Sequence, residues 1–220
     1  MGYGFKLHVW GERALFTRPE MKGERVSYDV MTPSAARGVL EAIYWKPAIG
    51  WVVDRITVLN PIAFASIRRN ELGSKVPPRS VSQAMNGADV DLHQYITEDR
   101  QQRASLCLRN VAYVIDAHFE LVRDKAGEGD TVEKHYNIAL RRMRAGQCFH
   151  RPYFGCREFP VSFALIEEGQ DTLPSAYAAE AERDLGWMLF DLDFGDEVRP
   201  KFFRATMRHG IVDLREEVDK

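Results

Sequence analysis

The sequence predicts an α+β fold, because segments with helical periodicity and segments with strand periodicity follow one another along the chain. Two amphipathic segments begin at side chains that cap helices, and the segments around them alternate apolar and polar residues as strands do. Up to residue 166 the predicted order is the β-α-β-β-α-β order of a ferredoxin-like, RRM-type domain. We therefore predict such a domain over residues 1–166 and a small C-terminal antiparallel β appendage over residues 167–220.

One helix framed by strands is predicted in the first part of the chain. Residues 5–10 alternate in the way that indicates a first strand. Thr32 is suited to cap a helix that runs to about Trp45, because Pro47 disfavours helical geometry in the residue before it. Further strands are predicted over residues 25–30, 50–59 and 61–68. We expect the last two of these strands to pair as a hairpin.

The second part of the chain predicts a basic loop, a second helix and several strands. Residues 70–99 contain Pro, Gly and Ser without clear periodicity, so we expect a mobile basic loop there. Thr131 is a candidate cap for the second helix, and Gly146 is a candidate stop. Strands are predicted over residues 105–110, 112–122, 159–165, 185–194 and 201–212. The last two strands would form a hairpin around Gly195 and Asp196.

Composition indicates an ordinary globular protein. The chain has 220 residues, of which 45% are hydrophobic, and it contains no apolar run suited to a membrane span or a signal peptide. Its three cysteines give no disulfide framework, so we expect a reduced, cytoplasmic protein that does not bind membranes. Cys148, His150 and Cys156 do not have the spacing of a zinc site, and we expect no metal and no other cofactor.

A block of positive charge stands out between residues 134 and 157. The block contains no Asp or Glu, whereas the whole chain has a formal net charge of −2. Lys134 and His135 fall in the first turn of the second predicted helix, where free backbone N–H groups favour an anion such as phosphate. The other basic side chains of the block are Arg141, Arg142, Arg144, His150, Arg151 and Arg157.

Two interpretations of this basic block are open from the charge pattern alone. One is a surface helix with solvated arginines, and the other is a phosphate-binding element with a titratable histidine beside a lysine. In the second case RNA is a substrate that needs no metal, because its 2′-hydroxyl is a nucleophile beside each phosphodiester. Cleavage then needs a base, positive charge for the transition state and a proton for the leaving oxygen. Histidine, lysine and a tyrosine could supply these.

Six short motifs are spread over the chain up to about residue 161. They are GERALFT (11–17), ERVSY (24–28), AIYWKP (42–47), DAHFE (116–120), EKHY (133–136) and FGCRE (154–158). Together they resemble the CRISPR-associated Cas-five family, d subtype, of type I-C (Dvulg) systems. The resemblance implies a metal-independent endoribonuclease that cleaves CRISPR repeat RNA at the base of the repeat hairpin. It also implies that the protein then holds the 5′ handle of the crRNA as a subunit of the surveillance complex.

The same resemblance implies which side chains act on RNA. It places the catalytic roles on Tyr44, Lys134 and His135, and it leaves open whether Tyr44 or His135 is the general base. From the sequence we interpret Trp45 as a packing residue and His118 as a solvated strand residue between two acids. We predict that the basic side chains near the catalytic set bind the RNA. These predicted RNA-binding residues are Lys46, Arg141, Arg142, Arg144, Arg151 and Arg157.

Two other functions stay open. One is a non-catalytic scaffold that binds the crRNA handle, as many proteins of the wider family outside the d subtype do. The other is a subunit that binds double-stranded DNA, which the low net positive charge makes less favourable. The Lys134–His135 pair favours the enzyme, because pure binding would be served as well by arginines. We therefore expect CRISPR repeat RNA and other subunits of the type I-C surveillance complex as partners.

Overall fold

The computed structural model of the protein describes residues 4–21, 23–170, 173–194 and 197–215. It is a mixed α/β structure in which one large sheet carries few helices. The helices are α1 (Pro33–Ile43), α2 (Pro78–Met85) and α3 (Val132–Arg144), with a short 3₁₀ turn at Arg123–Lys125. The strands are β1 (Gly4–Ala14), β2 (Arg25–Val26), β3 (Ile49–Val58), β4 (Phe64–Leu72), β5 (Arg100–Leu121), β6 (Ser162–Ile166), β7 (Arg183–Phe194), β8 (Val198–Arg208) and β9 (Ile211–Asp213). No helix of the described part is long and apolar enough to cross a membrane.

The long strand β5 is the centre of the sheet. The strand order is β6-β1-β5-β3-β9-β8-β7, and β2 and β4 pair with β5 outside this path. β1 and β3 flank the C-terminal half of β5, and β4 pairs with its N-terminal half. These pairings are antiparallel, apart from the short parallel pairing of β2 with β5. β5 therefore joins the part of the sheet that contains β1 and β3 to the part that contains β4.

Helices α1 and α3 pack against each other and against the sheet, in one apolar core. Each begins, as predicted, at a threonine whose side chain accepts a hydrogen bond from a backbone N–H three residues later. The distances are 3.3 Å between Thr32 Oγ1 and the N–H of Ala35, and 3.2 Å between Thr131 Oγ1 and the N–H of Lys134. The buried residues of α3 are 135, 139 and 143, which lie one turn apart on a single helix face. His135 therefore points into the core.

The predicted hairpin between residues 50–59 and 61–68 is wrong. β3 and β4 do not pair with each other; they follow one another along the same side of β5. The segment between them stays hydrogen-bonded to β5, because Leu59 donates to the carbonyl of Ala112 and Arg109 donates to the carbonyl of Ala63. These bonds satisfy the backbone without the reversal that a hairpin would require.

Three other boundaries differ from the sequence prediction. Residues 70–99 are not wholly a loop, because β4 extends to Leu72 and α2 follows at Pro78–Met85. The strands predicted over 105–110 and 112–122 are one strand, β5, in which Asn110 takes a positive φ of 50°. The strand predicted over 201–212 is divided into β8 and β9, because the His209–Gly210 turn has positive φ at both residues.

The C-terminal strands continue the main sheet. β7 and β8 form the predicted antiparallel pair, and the turn residues Gly195 and Asp196 lie outside the described residues. β9 then pairs with both β8 and β3. Leu185, Met188 and Phe203 contribute to the same apolar core as the first part of the chain. The division into regions 1–166 and 167–220 stays a prediction.

We expect Gly155→Ala to destabilise the fold strongly. Gly155 has a φ of 79°, and a Cβ atom there would overlap the backbone carbonyl of Leu15. This contact cannot relax easily, because the N–H of Leu15 donates to the carbonyl of Phe154, 3.1 Å away. The expected loss is about 3 kcal/mol or more of unfolding free energy, measured by denaturant titration.

Gly38→Ala is the matched control for this substitution. Gly38 is exposed in α1, and a Cβ atom there would meet nothing within 4 Å. We expect a gain of about 0.5–1 kcal/mol, because alanine is the better helix former. Equal stability of Gly155→Ala and the wild-type protein would show that the close approach of Gly155 to Leu15 does not contribute to stability.

Candidate active site

Tyr44 ends helix α1 and points its hydroxyl at His135. Its backbone is extended, with φ −151° and ψ 121°, and its N–H makes the last helical bond to Leu40 at 2.9 Å. The indole N–H of Trp51 donates to the carbonyl of Tyr44, with 2.7 Å between the nitrogen and the oxygen. The tyrosine hydroxyl lies 2.7 Å from His135 Nδ1. The fixed backbone therefore holds the hydroxyl against the imidazole.

His135 is almost completely buried, with 1% of its surface exposed. Nδ1 contacts the tyrosine hydroxyl, while Nε2 lies 3.2 Å from Asp130 Oδ1 without forming a hydrogen bond. Within the described residues Nε2 has no hydrogen-bond partner. A buried polar atom left without a partner reduces stability, and such an atom in a native structure often serves a function. One nitrogen of the imidazole is therefore held by Tyr44, and the other is buried beside Asp130 without a hydrogen-bond partner in the described residues.

Asp130 joins the lysine to the histidine of the predicted catalytic set. Its Oδ1 accepts a hydrogen bond from Lys134 Nζ at 3.1 Å, and its Oδ2 accepts one from the N–H of Gly127 at 3.0 Å. The bond from Gly127 is the largest of the effects that lower the pKa of Asp130, and the bond from Lys134 comes next. The carboxylate is therefore charged beside His135.

Asp130 was missed by the sequence analysis. Its signal is its position directly before the helix cap Thr131, where a carboxylate interacts favourably with the start of a helix.

Arg142 connects α3 to the end of α1. Its Nη1 donates to the carbonyl of Ile43 at 2.7 Å, and its guanidinium carbon lies 5.2 Å from the centre of the Tyr44 ring. Burial raises the pKa of the Tyr44 hydroxyl; Arg142 opposes this shift and Asp130 adds to it. The hydroxyl therefore stays protonated at neutral pH and can donate to Nδ1. The hydroxyl oxygen can also accept from Nδ1–H, and in that tautomer of neutral His135 the Nε2 atom is free to take up a proton.

Together these side chains can carry out proton transfer beside a bound anion. The first turn of α3 supplies backbone N–H groups that favour an anion, and Lys134 adds a half-exposed ammonium group. His135 can exchange a proton, and Tyr44 fixes the orientation of its ring. The described residues contain no group of three or more His, Cys, Asp and Glu side chains placed to hold a metal ion.

The remaining predicted residues lie in different surroundings. Arg144 forms a two-point ion pair with Glu167, with distances of 2.6 and 2.8 Å, which raises the pKa of Arg144. Arg142 also bonds to the carbonyl of Ile43. Both arginines therefore have protein partners, whereas the surface-helix interpretation expected arginines that contact only water. Four exposed cations form no ion pair or side-chain hydrogen bond within the described ranges. These are Lys46, Arg141, Arg151 and Arg157.

One arginine and one histidine, Arg151 and His118, lie apart from the Tyr44–His135 pair. Arg151 lines an open cavity of about 780 Å³ together with Trp10 and Asn110, and none of Tyr44, Lys134 and His135 lines that cavity. His118 is half-buried, and its Nδ1 lies 2.9 Å from Asp54 Oδ2. His118 is therefore paired with a carboxylate from β3, and is not the solvated residue that the sequence indicated.

Comparisons with known proteins agree with these observations. A family model described as CRISPR-associated protein (Cas_Cas5), of the Cas5d type, matches residues 4–215. A protein of Mannheimia succiniciproducens named CRISPR pre-crRNA endoribonuclease Cas5d is 54% identical over 217 residues, covering 97% of this chain and 96% of the relative. A protein of Thermus thermophilus with the same name is 37% identical over 235 residues, covering 96% and 91%. A solved structure described as a CRISPR-associated protein has a TM-score of 0.70 at 25% identity, covering 96% and 91%.

Proposed function

This chain belongs to the Cas5d family of CRISPR-associated proteins, and we propose on that basis that it is a metal-independent endoribonuclease that cleaves CRISPR repeat RNA. The two relatives named above are both called pre-crRNA endoribonucleases. The observation that carries the proposal is the 2.7 Å contact between the Tyr44 hydroxyl and His135 Nδ1, directly beside Lys134. A partly exposed ammonium, an imidazole and a hydroxyl are the groups that metal-free RNA cleavage needs.

The proposed reaction is an attack of the RNA 2′-hydroxyl on the adjacent phosphorus. The 2′-oxygen–phosphorus bond forms, and the bond from phosphorus to the 5′-oxygen of the next nucleotide breaks. A base removes the 2′-proton, and the leaving 5′-oxygen takes up a proton. The products are a 2′,3′-cyclic phosphate and a 5′-hydroxyl, and no oxidant or metal is needed.

Each side chain of the site has a role in this proposal. Lys134 stabilises the negative charge that develops on the phosphate. His135 exchanges the proton through Nε2, and Tyr44 holds the ring through Nδ1. The raised pKa of Tyr44 supports His135 as the general base, because a hydroxyl that keeps its proton is a poor base. His135 takes up the 2′-proton at Nε2 in the tautomer in which Nδ1–H donates to the Tyr44 oxygen.

The carboxylate of Asp130 occupies the place where the RNA phosphate would bind. Asp130 contacts Lys134 Nζ at 3.1 Å and lies 3.2 Å from His135 Nε2. Two anions at such short range repel each other, so we propose that the phosphate replaces the carboxylate of Asp130 at these two groups. Displacement of the Asp130 side chain would also expose the Nε2 edge of the His135 ring.

The finer description of the fold and its setting is also part of the proposal. The four strands β6-β1-β5-β3, with α1 and α3 on one face, have the order of a ferredoxin-like, RRM-type domain, which supports that assignment. We propose that the protein acts in the cytoplasm, keeps the 5′ handle of its product and joins a surveillance complex. The free cations Lys46, Arg141, Arg151 and Arg157 are the proposed contacts to the RNA backbone.

A non-catalytic scaffold that binds the crRNA handle is the second candidate function. The observation that favours it is the near-complete burial of Tyr44 and His135, with exposed fractions of 2% and 1%. A scaffold would bind repeat RNA through the same cations and would leave it intact.

Incubation of the purified protein with cognate repeat RNA in excess EDTA tests the proposed function. We expect a single cut, with a 2′,3′-cyclic phosphate on the upstream product and a 5′-hydroxyl on the downstream product. Tight binding without cleavage would identify the scaffold. Cleavage that EDTA abolishes would overturn the metal-free mechanism.

A further inference from the structure

Two large aromatic side chains beside the candidate site are exposed. Trp45 is 53% exposed and Phe149 is 82% exposed. The interpretation of Trp45 as a packing residue is therefore wrong. About half of the Trp45 surface and most of the Phe149 surface stay in contact with water in the free protein, so burial alone does not explain these two large aromatic residues.

Hydrogen bonds anchor the backbone segments that carry both side chains. The N–H groups of Phe149 and His150 both donate to the carbonyl of Ala42, at 2.8 and 3.3 Å. Trp45 lies between Tyr44, the last hydrogen-bonded residue of α1, and a turn in which the N–H of Ile49 donates to the carbonyl of Lys46 at 3.1 Å. The rings are therefore presented from anchored segments.

Four consecutive residues at the end of α1 connect these aromatic residues to the candidate site. Ala42 holds the loop that carries Phe149, and Ile43 accepts the hydrogen bond from Arg142. The next residue, Tyr44, contacts His135, and Trp45 follows it directly. The two exposed aromatic residues therefore belong to two different segments that both adjoin the end of α1, where Tyr44 contacts His135.

The chain segments that carry the two rings are positively charged. Lys46 and Arg141 are exposed and form no ion pair within the described ranges, and His150 follows Phe149 directly. The basic block that contains Phe149 has no Asp or Glu over residues 134–157. This combination of aromatic rings and free cations fits single-stranded nucleic acid better than the apolar face of a protein partner.

We propose that Trp45 and Phe149 are stacking platforms for unpaired RNA bases near the cleaved phosphate. The proposal rests on the proposed function, which places the phosphate at Lys134 and His135. Splayed single-stranded nucleotides stack on aromatic side chains, while nearby cations contact their phosphates. The two rings would thereby hold the backbone of the cleaved nucleotide in place for attack by its 2′-hydroxyl.

The test compares Trp45→Ala and Phe149→Ala with matched controls in the same chain. Trp187 and Phe202 are also exposed, at 62% and 44%, but they lie on the β7–β8 pair, where the nearest cation in register, Arg204, is paired with Asp184. By fluorescence anisotropy with a repeat RNA that carries a 2′-deoxy block at the cut, we expect each site variant to bind about 5- to 100-fold more weakly. Trp187→Ala and Phe202→Ala should bind as the wild-type protein does.

Two further measurements separate stacking from charge and from misfolding. The salt dependence of binding should be unchanged in Trp45→Ala, whereas Arg141→Ala should reduce the slope by about one unit. Trp45→Phe keeps an aromatic face and should recover most of the affinity. An abasic substitution at the stacked nucleotide should weaken binding to the wild-type protein and have little further effect on the matching alanine variant.

The outcomes distinguish this inference from the proposed function. If the wild-type protein cleaves the repeat in EDTA but neither Trp45→Ala nor Phe149→Ala changes RNA affinity, the stacking proposal is overturned and the proposed function stands. The exposed rings would then be assigned to a protein partner. If the wild-type protein binds without cleaving and both variants lose affinity, the stacking proposal stands and the proposed catalysis fails.

Discussion

We expect His135→Ala to slow cleavage of repeat RNA by at least about 100-fold and to leave RNA affinity nearly unchanged, because it removes one general acid–base group. The imidazole is buried and its Nδ1 faces the Tyr44 hydroxyl, so the substitution removes no exposed charge that would hold RNA. Single-turnover cleavage with enzyme in excess measures the chemical step, and anisotropy with the 2′-deoxy RNA measures binding.

Three companion variants keep this prediction falsifiable. His135→Gln retains a polar side chain of similar length for the buried position and should be as inactive as His135→Ala if proton transfer is required. Tyr44→Phe keeps the ring for packing and tests the hydroxyl alone. His118→Ala removes a histidine that pairs with Asp54, and should cleave normally. Full activity of both His135 variants at every pH tested would place the acid–base group elsewhere, with His118 and His150 as the next candidates.

The second large effect is expected for Lys134→Ala, which should slow cleavage by about 100- to 1,000-fold. The ammonium group bonds to Asp130, which lies beside His135 Nε2, and loss of one group that stabilises a transition-state charge typically has an effect of that size. RNA affinity should also fall, and the slope of binding against salt should decrease by about one unit.

Lys201→Ala is the matched control for the loss of one positive charge. Lys201 lies on β8 and pairs with Asp193 at 3.2 Å, away from the first turn of α3. We expect its cleavage rate and salt slope to equal those of the wild-type protein. If Lys134→Ala and Lys201→Ala had the same small effect, Lys134 would contribute only to the overall positive charge of the protein and not to catalysis.

Elements that depend on local signals could be predicted from the sequence. The caps Thr32 and Thr131 lie directly before apolar stripes of helical period, and both helices begin where these signals place them. Helix α2 was missed because it has only eight residues and buries none of them, although Val81, Ala84 and Met85 share one face. Helical periodicity is read over a window of about 11–18 residues, which this helix does not fill.

Pairing and burial depend on contacts that are distant in the chain, and sequence reasoning did not give them. β4 pairs with β5 rather than with β3, through backbone hydrogen bonds to residues some forty positions away, as in the pairing of Phe64 with Leu108. The same holds for Arg144, whose partner Glu167 comes from beyond the basic block. Asp130 was visible as an acid before a helix cap, but its place between Lys134 and His135 follows only from the fold.

In the candidate site, too, the identity of the residues could be predicted from the sequence, whereas their burial could not. The motif resemblance selected Tyr44 and His135, which lie 91 residues apart in the chain, and the structure brings the hydroxyl of one within 2.7 Å of Nδ1 of the other. Their near-complete burial could not be predicted, because it depends on how α1 and α3 pack on each other. The roles of Tyr44, Lys134 and His135 in catalysis stay a prediction.

The central claim is that the RNA supplies its own nucleophile and that this protein supplies only proton transfer and charge. The most direct measurement is cleavage of a repeat RNA that carries one 2′-deoxy nucleotide immediately 5′ of the cut. We predict that this RNA binds with unchanged affinity and is not cleaved, while a 2′-deoxy nucleotide immediately 3′ of the cut leaves the rate unaffected. Normal cleavage of the first RNA would contradict the account, because the attacking nucleophile would then be a water molecule or a protein group.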